Sequence, residues 1–127
     1  MARTYLLAFN EVRKISEVRV YSPTKKNRDR FAQEMGEKLA IKVVPVERPE
    51  EAVRECDIVA TCTDSIQVVV DDPSWIEPGM HLTCVKSNEW NPEIVKRSDV
   101  VIKMGRATIN LDVGMRRIGG EAAVVAG

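Results

Sequence analysis

The sequence predicts a doubly wound α/β fold with a mostly parallel sheet that lacks its first strand and the glycine-rich loop after it. Three observations carry this expectation. Apolar periodicity alternates between helical and strand spacing along the chain, in units of roughly 20–30 residues, which calls for parallel strands joined by right-handed helical crossovers. The run Ile58-Val59-Ala60-Thr61-Cys62 is continuous rather than alternating, as for a strand covered on both faces. The first element, finally, reads as a helix, where such folds open with a central strand and a glycine-rich turn.

Each element has its own signal. Residues 2–14 place Tyr5, Leu6, Phe9 and Val12 on one helical face, with Glu11, Arg13 and Lys14 elsewhere. Val18-Arg19-Val20-Tyr21 is a short strand, and Ser22-Pro23-Thr24 supplies a turn with a capping hydroxyl. Phe31, Ala32, Met35 and Leu39 mark a second helix face, and Ile41 to Val46 is strand again. Pro49-Glu50-Glu51-Ala52-Val53 starts a short helix with its carboxylates in the first turn, where they favour the helix dipole. After the Ile58 strand, Glu77-Pro78-Gly79 has type II turn order and leads into the strand His81-Leu82-Thr83-Cys84-Val85. Asn91-Pro92 is an N-cap with proline at the first helical position; that helix ends near Ser98, before a last strand at Val100-Val101-Ile102.

Composition narrows the function classes. At 127 residues one core is expected, and 44% hydrophobic with 30% charged residues is ordinary for a globular domain. Lys+Arg 19 balance Asp+Glu 19, which argues against nucleic acid as a partner, because phosphate neutralisation needs a basic excess. No apolar run approaches the ~20 residues of a membrane span, and the first ten residues lack a secretory core and cleavage site. The odd cysteine count, Cys56, Cys62 and Cys84, reads as buried reduced thiols of a cytoplasmic protein. With one histidine, His81, and no CxxC pair, no metal site is expected.

Open sheets of this class bind ligands at the carboxyl ends of their strands, and three such ends carry polar residues. After the Val18 strand come Ser22, Thr24, Lys25, Lys26, Asn27 and Arg28, with no acid to grip a ribose diol; hydroxyls and cations there suit a 2′-phosphate, so NADP is expected over NAD. The plain alternative is a solvated basic first turn of a surface helix. Thr61-Cys62-Thr63-Asp64-Ser65 ends a strand in small residues that let backbone amides approach a sugar or phosphate, although ordinary turns favour the same residues. Val85-Lys86-Ser87-Asn88-Glu89-Trp90 gathers a lysine, an amide and a carboxylate, or is simply a polar loop. His81 and Cys84 read as structural.

Read together, Val12 to Ser22, Phe31-Ala32, Glu51-Ala52-Val53 leading to Cys56-Asp57-Ile58-Val59-Ala60-Thr61-Cys62-Thr63, Trp75 to His81, and Ser98-Asp99-Val100-Val101 resemble the ornithine cyclodeaminase and mu-crystallin family, in that family's order. The resemblance covers residues 2 to about 103. It implies a Rossmann-type domain set between two parts of a dimerising substrate domain, use of NAD(H) or NADP(H), and hydride transfer through an imine of an amino acid. It also implies a phosphate loop ending just before Ala2, and a substrate arginine and catalytic lysine further upstream still. Arginine is common in the family where Pro23 stands, while Thr24 and Asn27 fit. The deaminating members carry an aspartate acid or base where this chain has Asn88, and an amide cannot exchange a proton at neutral pH; Glu89 is adjacent but points elsewhere on a regular strand.

The expectation is therefore a partial Rossmann NAD(P)-binding domain over 1–104 and a C-terminal tail over 105–127 returning toward the substrate domain. It is the central portion of an oxidoreductase or cyclodeaminase relative acting on an amino acid or cyclic imine, without the family's lysine and inactive by itself, from a homo-oligomer. The cofactor would be held by Ser22, Thr24, Lys25, Asn27, Thr61, Cys62, Thr63 and Val85, with Asn88 at the catalytic position. The alternatives are a noncatalytic α/β binding or interaction module that has lost the cofactor, and an unrelated α/β regulator. Without a central strand, the Val18 and Ile58 strands are expected to pair directly, or the chain to self-associate, because bare edges invite pairing.

Overall fold

The computed structural model describes residues 1–99 and 101, and the short stretches 117–118 and 121–122. The elements are α1 (Ala2–Val12), β1 (Glu17–Tyr21), α2 (Lys25–Leu39), β2 (Lys42–Val46), α3 (Pro49–Val53), β3 (Ile58–Thr61), a 3₁₀ turn (Pro73–Trp75), β4 (His81–Cys84), a second 3₁₀ turn (Ser87–Glu89), α4 (Pro92–Arg97), β5 (Arg117–Ile118) and β6 (Glu121–Ala122). This is the α/β alternation read from the sequence, with parallel strands of Rossmann type. The strand expected at Val100 to Ile102 lies largely outside the described residues, as does most of the tail. Among the described residues no helix is long and apolar enough to cross a membrane.

Two parallel ladders form the framework. Glu17 to Tyr21 pair in register with Lys42 to Val46, and Ile58 to Thr61 with His81 to Cys84. Each ladder has its own core. Leu6 of α1 and Phe31 and Met35 of α2 pack on Val18, Val20 and Val43, the alternate residues on one face of β1 and β2. Val53, Val59, Val70, Trp90 and Ile94 form the second cluster, against Leu82 and Cys84. The face of α2 is set by Arg28, Phe31, Ala32 and Met35, all buried at helical spacing. Its C-cap, Ala40, is left-handed at φ 52°, a conformation that glycine adopts without strain.

Three expectations need correction. The Val18 and Ile58 strands do not pair: β1 bonds to β2, β3 bonds to β4, and the facing edges of β1 and β3 line one cavity. Helix α1, about 10 Å wide, lies over that cavity, with Leu6 against Val18 and Val20 and its body against β3. A helix seated there holds the strands beyond the ~4.8 Å that pairing requires. The second correction is at Ala60, which is exposed between buried Val59 and Thr61, so β3 is not covered on both faces. The third is Thr24, which is the N-cap of α2 by position but makes no side-chain capping bond. Asn91 does cap α4, accepting from Glu93 N–H at 2.9 Å.

Candidate functional site

The cavity has a volume of about 900 Å³ and runs along β1 and β3 and past the ends of both strands. Of the residues expected to form the site, Ser22, Asn27, Thr61, Cys62 and Thr63 line it. Thr24, Lys25, Val85 and Asn88 do not; Lys25 and Lys26 lie on a separate shallow face of α2. The first turn of α1 reaches the same cavity through Ala2 and Arg3, and it carries neither a side-chain cap nor an acid. Its leading N–H groups are thus available to an anion at the end of an 11-residue helix.

The β1 end is tied to α2. Buried Arg28 reaches back from α2 to donate to the Ser22 carbonyl at 3.0 Å, and its other amino group lies 3.7 Å from Glu47. The guanidinium read as a phosphate contact is committed to the turn. Lys25 pairs with Asp29 at 2.5 Å on the exposed helix face, and Lys26 is exposed. A bidentate Arg3–Glu34 pair at 2.8 and 2.7 Å, with Arg3 stacked 5.6 Å over Phe31, ties α1 to α2.

The β3 and β4 ends meet at Glu89, whose role the sequence concealed. Its carboxylate is fully buried and accepts from Thr61 Oγ1 (3.0 Å), Thr63 N–H (2.6 Å), Thr63 Oγ1 (2.7 Å), Val85 N–H (3.1 Å) and Lys86 N–H (3.0 Å). Burial by itself pushes this carboxyl up, but the Lys86 N–H, the hydroxyl and N–H of Thr63 and the Thr61 hydroxyl together hold it below the usual range. Its carbonyl adds bonds from Val69 and Val70 N–H at 2.9 and 3.0 Å. A strand continued past Val85 would turn Glu89 away; the chain instead enters a 3₁₀ turn at Lys86, and Glu89 becomes the third residue of a capping box. An acid four residues past Val85, the strand end expected from the sequence, was the available signal. The hydroxyls of Thr61 and Thr63 are consequently directed at Glu89, and both residues line the cavity.

Asn88, one residue earlier, is exposed and donates to the Ser65 carbonyl at 3.1 Å, which pins the loop after β3. Cys62 is half-buried in the cavity wall, where burial first and then the Glu89 charge raise its thiol. Cys56, half-buried, donates to the Ala52 carbonyl at 3.3 Å, and burial raises its pKa too. Cys56, Cys62 and Cys84 are all half-buried rather than fully buried.

Comparison with known proteins matches this frame. The Ornithine cyclodeaminase/mu-crystallin family profile covers residues 1–115. A Rhizobium meliloti (strain 1021) protein provisionally designated a dehydrogenase is 32% identical over 105 residues, which are 79% of this chain and 32% of that protein. The nodulation efficiency protein NfeD of Rhizobium meliloti is 31% identical over 61 residues, 48% of this chain and 19% of its own length. Among solved structures, the Thermococcus litoralis Δ1-pyrroline-2-carboxylate reductase, in complex with NADH and L-proline, superposes with a TM-score of 0.74 at 37% identity, covering 80% of this chain and 32% of that one. The chain thus spans about a third or less of the relatives it matches. With its elements in the family's order and the profile running through nearly all of them, the chain belongs to the ornithine cyclodeaminase/mu-crystallin family.

Proposed function

We propose that this chain is the nicotinamide-dinucleotide-holding part of a family reductase or dehydrogenase that acts on an amino acid or its cyclic imine. The observation that carries the reading is the convergence of the β1 end, the β3 end and the uncapped first turn of α1 on one cavity, where open α/β sheets take their ligands. The structural neighbour's complex with NADH and L-proline supports the same cofactor and substrate class.

The donor set fits such a cofactor. Ser22 and Asn27 would hold the adenosine ribose, with the Ser22 carbonyl already fixed by Arg28. The leading N–H groups of α1 would face the diphosphate. The backbone of residues 61–63, steadied from behind by Glu89, would pack against the nicotinamide-bearing half. When bound, the nicotinamide gives or takes the hydride; this chain's residues orient it and keep water from the strand ends. The absence of an acid after β1 and the cations Lys25 and Lys26 on the adjoining turn favour NADP over NAD.

Titration of the chain with NADPH and NADH, followed by reduced-cofactor fluorescence, tests the reading. Saturable binding at micromolar levels, tighter for NADPH, is expected; no saturation by either up to millimolar concentration overturns it. That second outcome would favour a noncatalytic interaction module, the alternative supported by Asn88, which is exposed and outside the cavity at the position of the family's acid.

A further inference from the structure

We propose that Lys86 is the cation that takes the carboxylate of the amino or imino acid substrate, and that Asp64 holds its place until that carboxylate displaces it. The inference rests on the dinucleotide reading for where the nicotinamide lies, and the test below separates the two.

The turn after β4 is fastened to the loop after β3 at three points. Glu89 accepts from Thr63 N–H at 2.6 Å, Asn88 donates to the Ser65 carbonyl at 3.1 Å, and the Lys86 ammonium reaches Asp64 at 3.2 Å. The Glu89 carboxylate is buried, and Asn88 grips backbone. The third tie differs in kind, because the Asp64 side chain is fully exposed. An ion pair so placed adds little to stability, and its carboxylate exchanges readily for another. The loop stays fastened by the other two ties when Asp64 lets go.

Lys86 is suited to receive the newcomer. Its N–H donates to Glu89 at 3.0 Å and its carbonyl accepts Glu89 N–H at 3.2 Å, so the turn fixes its backbone. Its side chain is 41% exposed, with the stem partly covered and the ammonium spanning from the end of β4 to the loop after β3. Glu89 is satisfied by hydroxyls and backbone N–H groups, which leaves this ammonium to Asp64. Across residues 61–69 and 85–91, the segments that leave β3 and β4, Lys86 is the sole cation.

The place of the pair sets the substrate's chemistry. Asp64 lines the cavity, next to the residues against which the nicotinamide-bearing half would pack. In an α-amino or α-imino acid the carbon that exchanges hydride is bonded directly to the carboxylate, so a grip here sets that carbon beside the nicotinamide. Exposed Val85, just before Lys86, and Ile66, two residues after Asp64, offer apolar surface to a small ring or short aliphatic chain. With one cation in these segments, the substrate carries one carboxylate.

The test uses the full chain and pyrrole-2-carboxylate, a flat analogue of a five-membered cyclic imino acid, with pyrrole-2-carboxamide as the uncharged control. Binding is followed by backbone amide NMR shifts, with and without NADPH. Saturable shifts at Asp64, Ser65, Val85 and Lys86 are expected from the carboxylate and not from the carboxamide. Lys86→Met should bind roughly tenfold more weakly, and Lys86→Arg should retain binding. Asp64→Asn removes the resident competitor and should tighten binding about two- to fivefold. That sign is decisive, because a pair that merely held the loop would weaken binding when either partner is lost. Should Lys86→Met not fold, Asp64→Asn decides. Absence of saturation, equal binding of the carboxamide, unchanged binding in Lys86→Met, or weaker binding in Asp64→Asn would each overturn the proposal. Lys86-dependent capture of the carboxylate without any NADPH binding would uphold this site and overturn the dinucleotide reading; NADPH binding without capture would do the reverse.

Discussion

The carboxylate of Glu89 accepts both the backbone N–H and the hydroxyl of Thr63, at 2.6 and 2.7 Å, and so joins the loop after β3 to the turn after β4. Its partners are all donors. In Glu89→Gln one carboxylate oxygen becomes an NH₂ group that must face an N–H or hydroxyl, at a position closed to bulk solvent. A loss of about 2–3 kcal/mol is expected in urea unfolding; a change below about 0.5 kcal/mol would show that the network carries no stability.

The same carboxylate makes stability depend on acid. Its folded pKa lies below that of the unfolded chain, near 4.3 for a free glutamate, so the folded state favours the ionised form. The contribution is complete above the unfolded value and is lost as pH falls through the lower folded one. Exposed Glu17, Glu34, Asp72 and Glu93 and half-buried Glu51, all lowered by hydrogen bonds, have the same sign but are screened by solvent. Unfolding midpoints measured from pH 6 to pH 3 should fall steeply for the parent chain and less steeply for Glu89→Gln; parallel curves would remove Glu89 as the cause.

Much of the frame was legible because periodicity is a local property. The helix face of Phe31, Ala32 and Met35, the Asn91 cap and the Pro78-Gly79 turn, with Gly79 at φ 90°, all stand where spacing put them. What could not be read depended on contacts distant in sequence. Glu89 is defined by Thr61 and Thr63, 28 and 26 residues away. Arg28 looked like a phosphate ligand until its guanidinium was seen to bond Ser22. The open slot depends on how α1 sits over two ladders, which no single segment encodes.

Arg19 projects from β1 to the end of α3, where its Nη1 donates to the Glu51 and Arg54 carbonyls at 3.2 and 2.8 Å. A cation at a helix C-terminus answers both the dipole and the unbonded carbonyls. Arg19→Met keeps much of the side-chain volume but leaves those carbonyls without a donor, and should cost about 1–2 kcal/mol. Chemical unfolding measures the loss, and an unchanged midpoint would count against the contact.

At Ala40 the backbone is left-handed, φ 52°, and the residue is exposed at the end of α2. Ala40→Gly relieves the clash of Cβ with the carbonyl, offset in part by glycine's greater freedom when unfolded. A net gain of about 0.5–1 kcal/mol is expected in thermal unfolding. A loss of stability would mean that the helix ends in another conformation.

Cofactor choice can be tested on the exposed face of α2. Lys26 is exposed next to Lys25, whose partner Asp29 is also on the surface, so replacing both lysines disturbs no core residue. If the adenosine 2′-phosphate lies over this turn, Lys25→Ala with Lys26→Ala should weaken NADPH roughly fivefold, the equivalent of about 1 kcal/mol for exposed charge pairs, and leave NADH unchanged. The effect should shrink at high salt, because the Debye length falls to about 3 Å at 1 M. Equal weakening of both cofactors would place these lysines near a phosphate the two share, and no change in either would remove the turn from the cofactor's path.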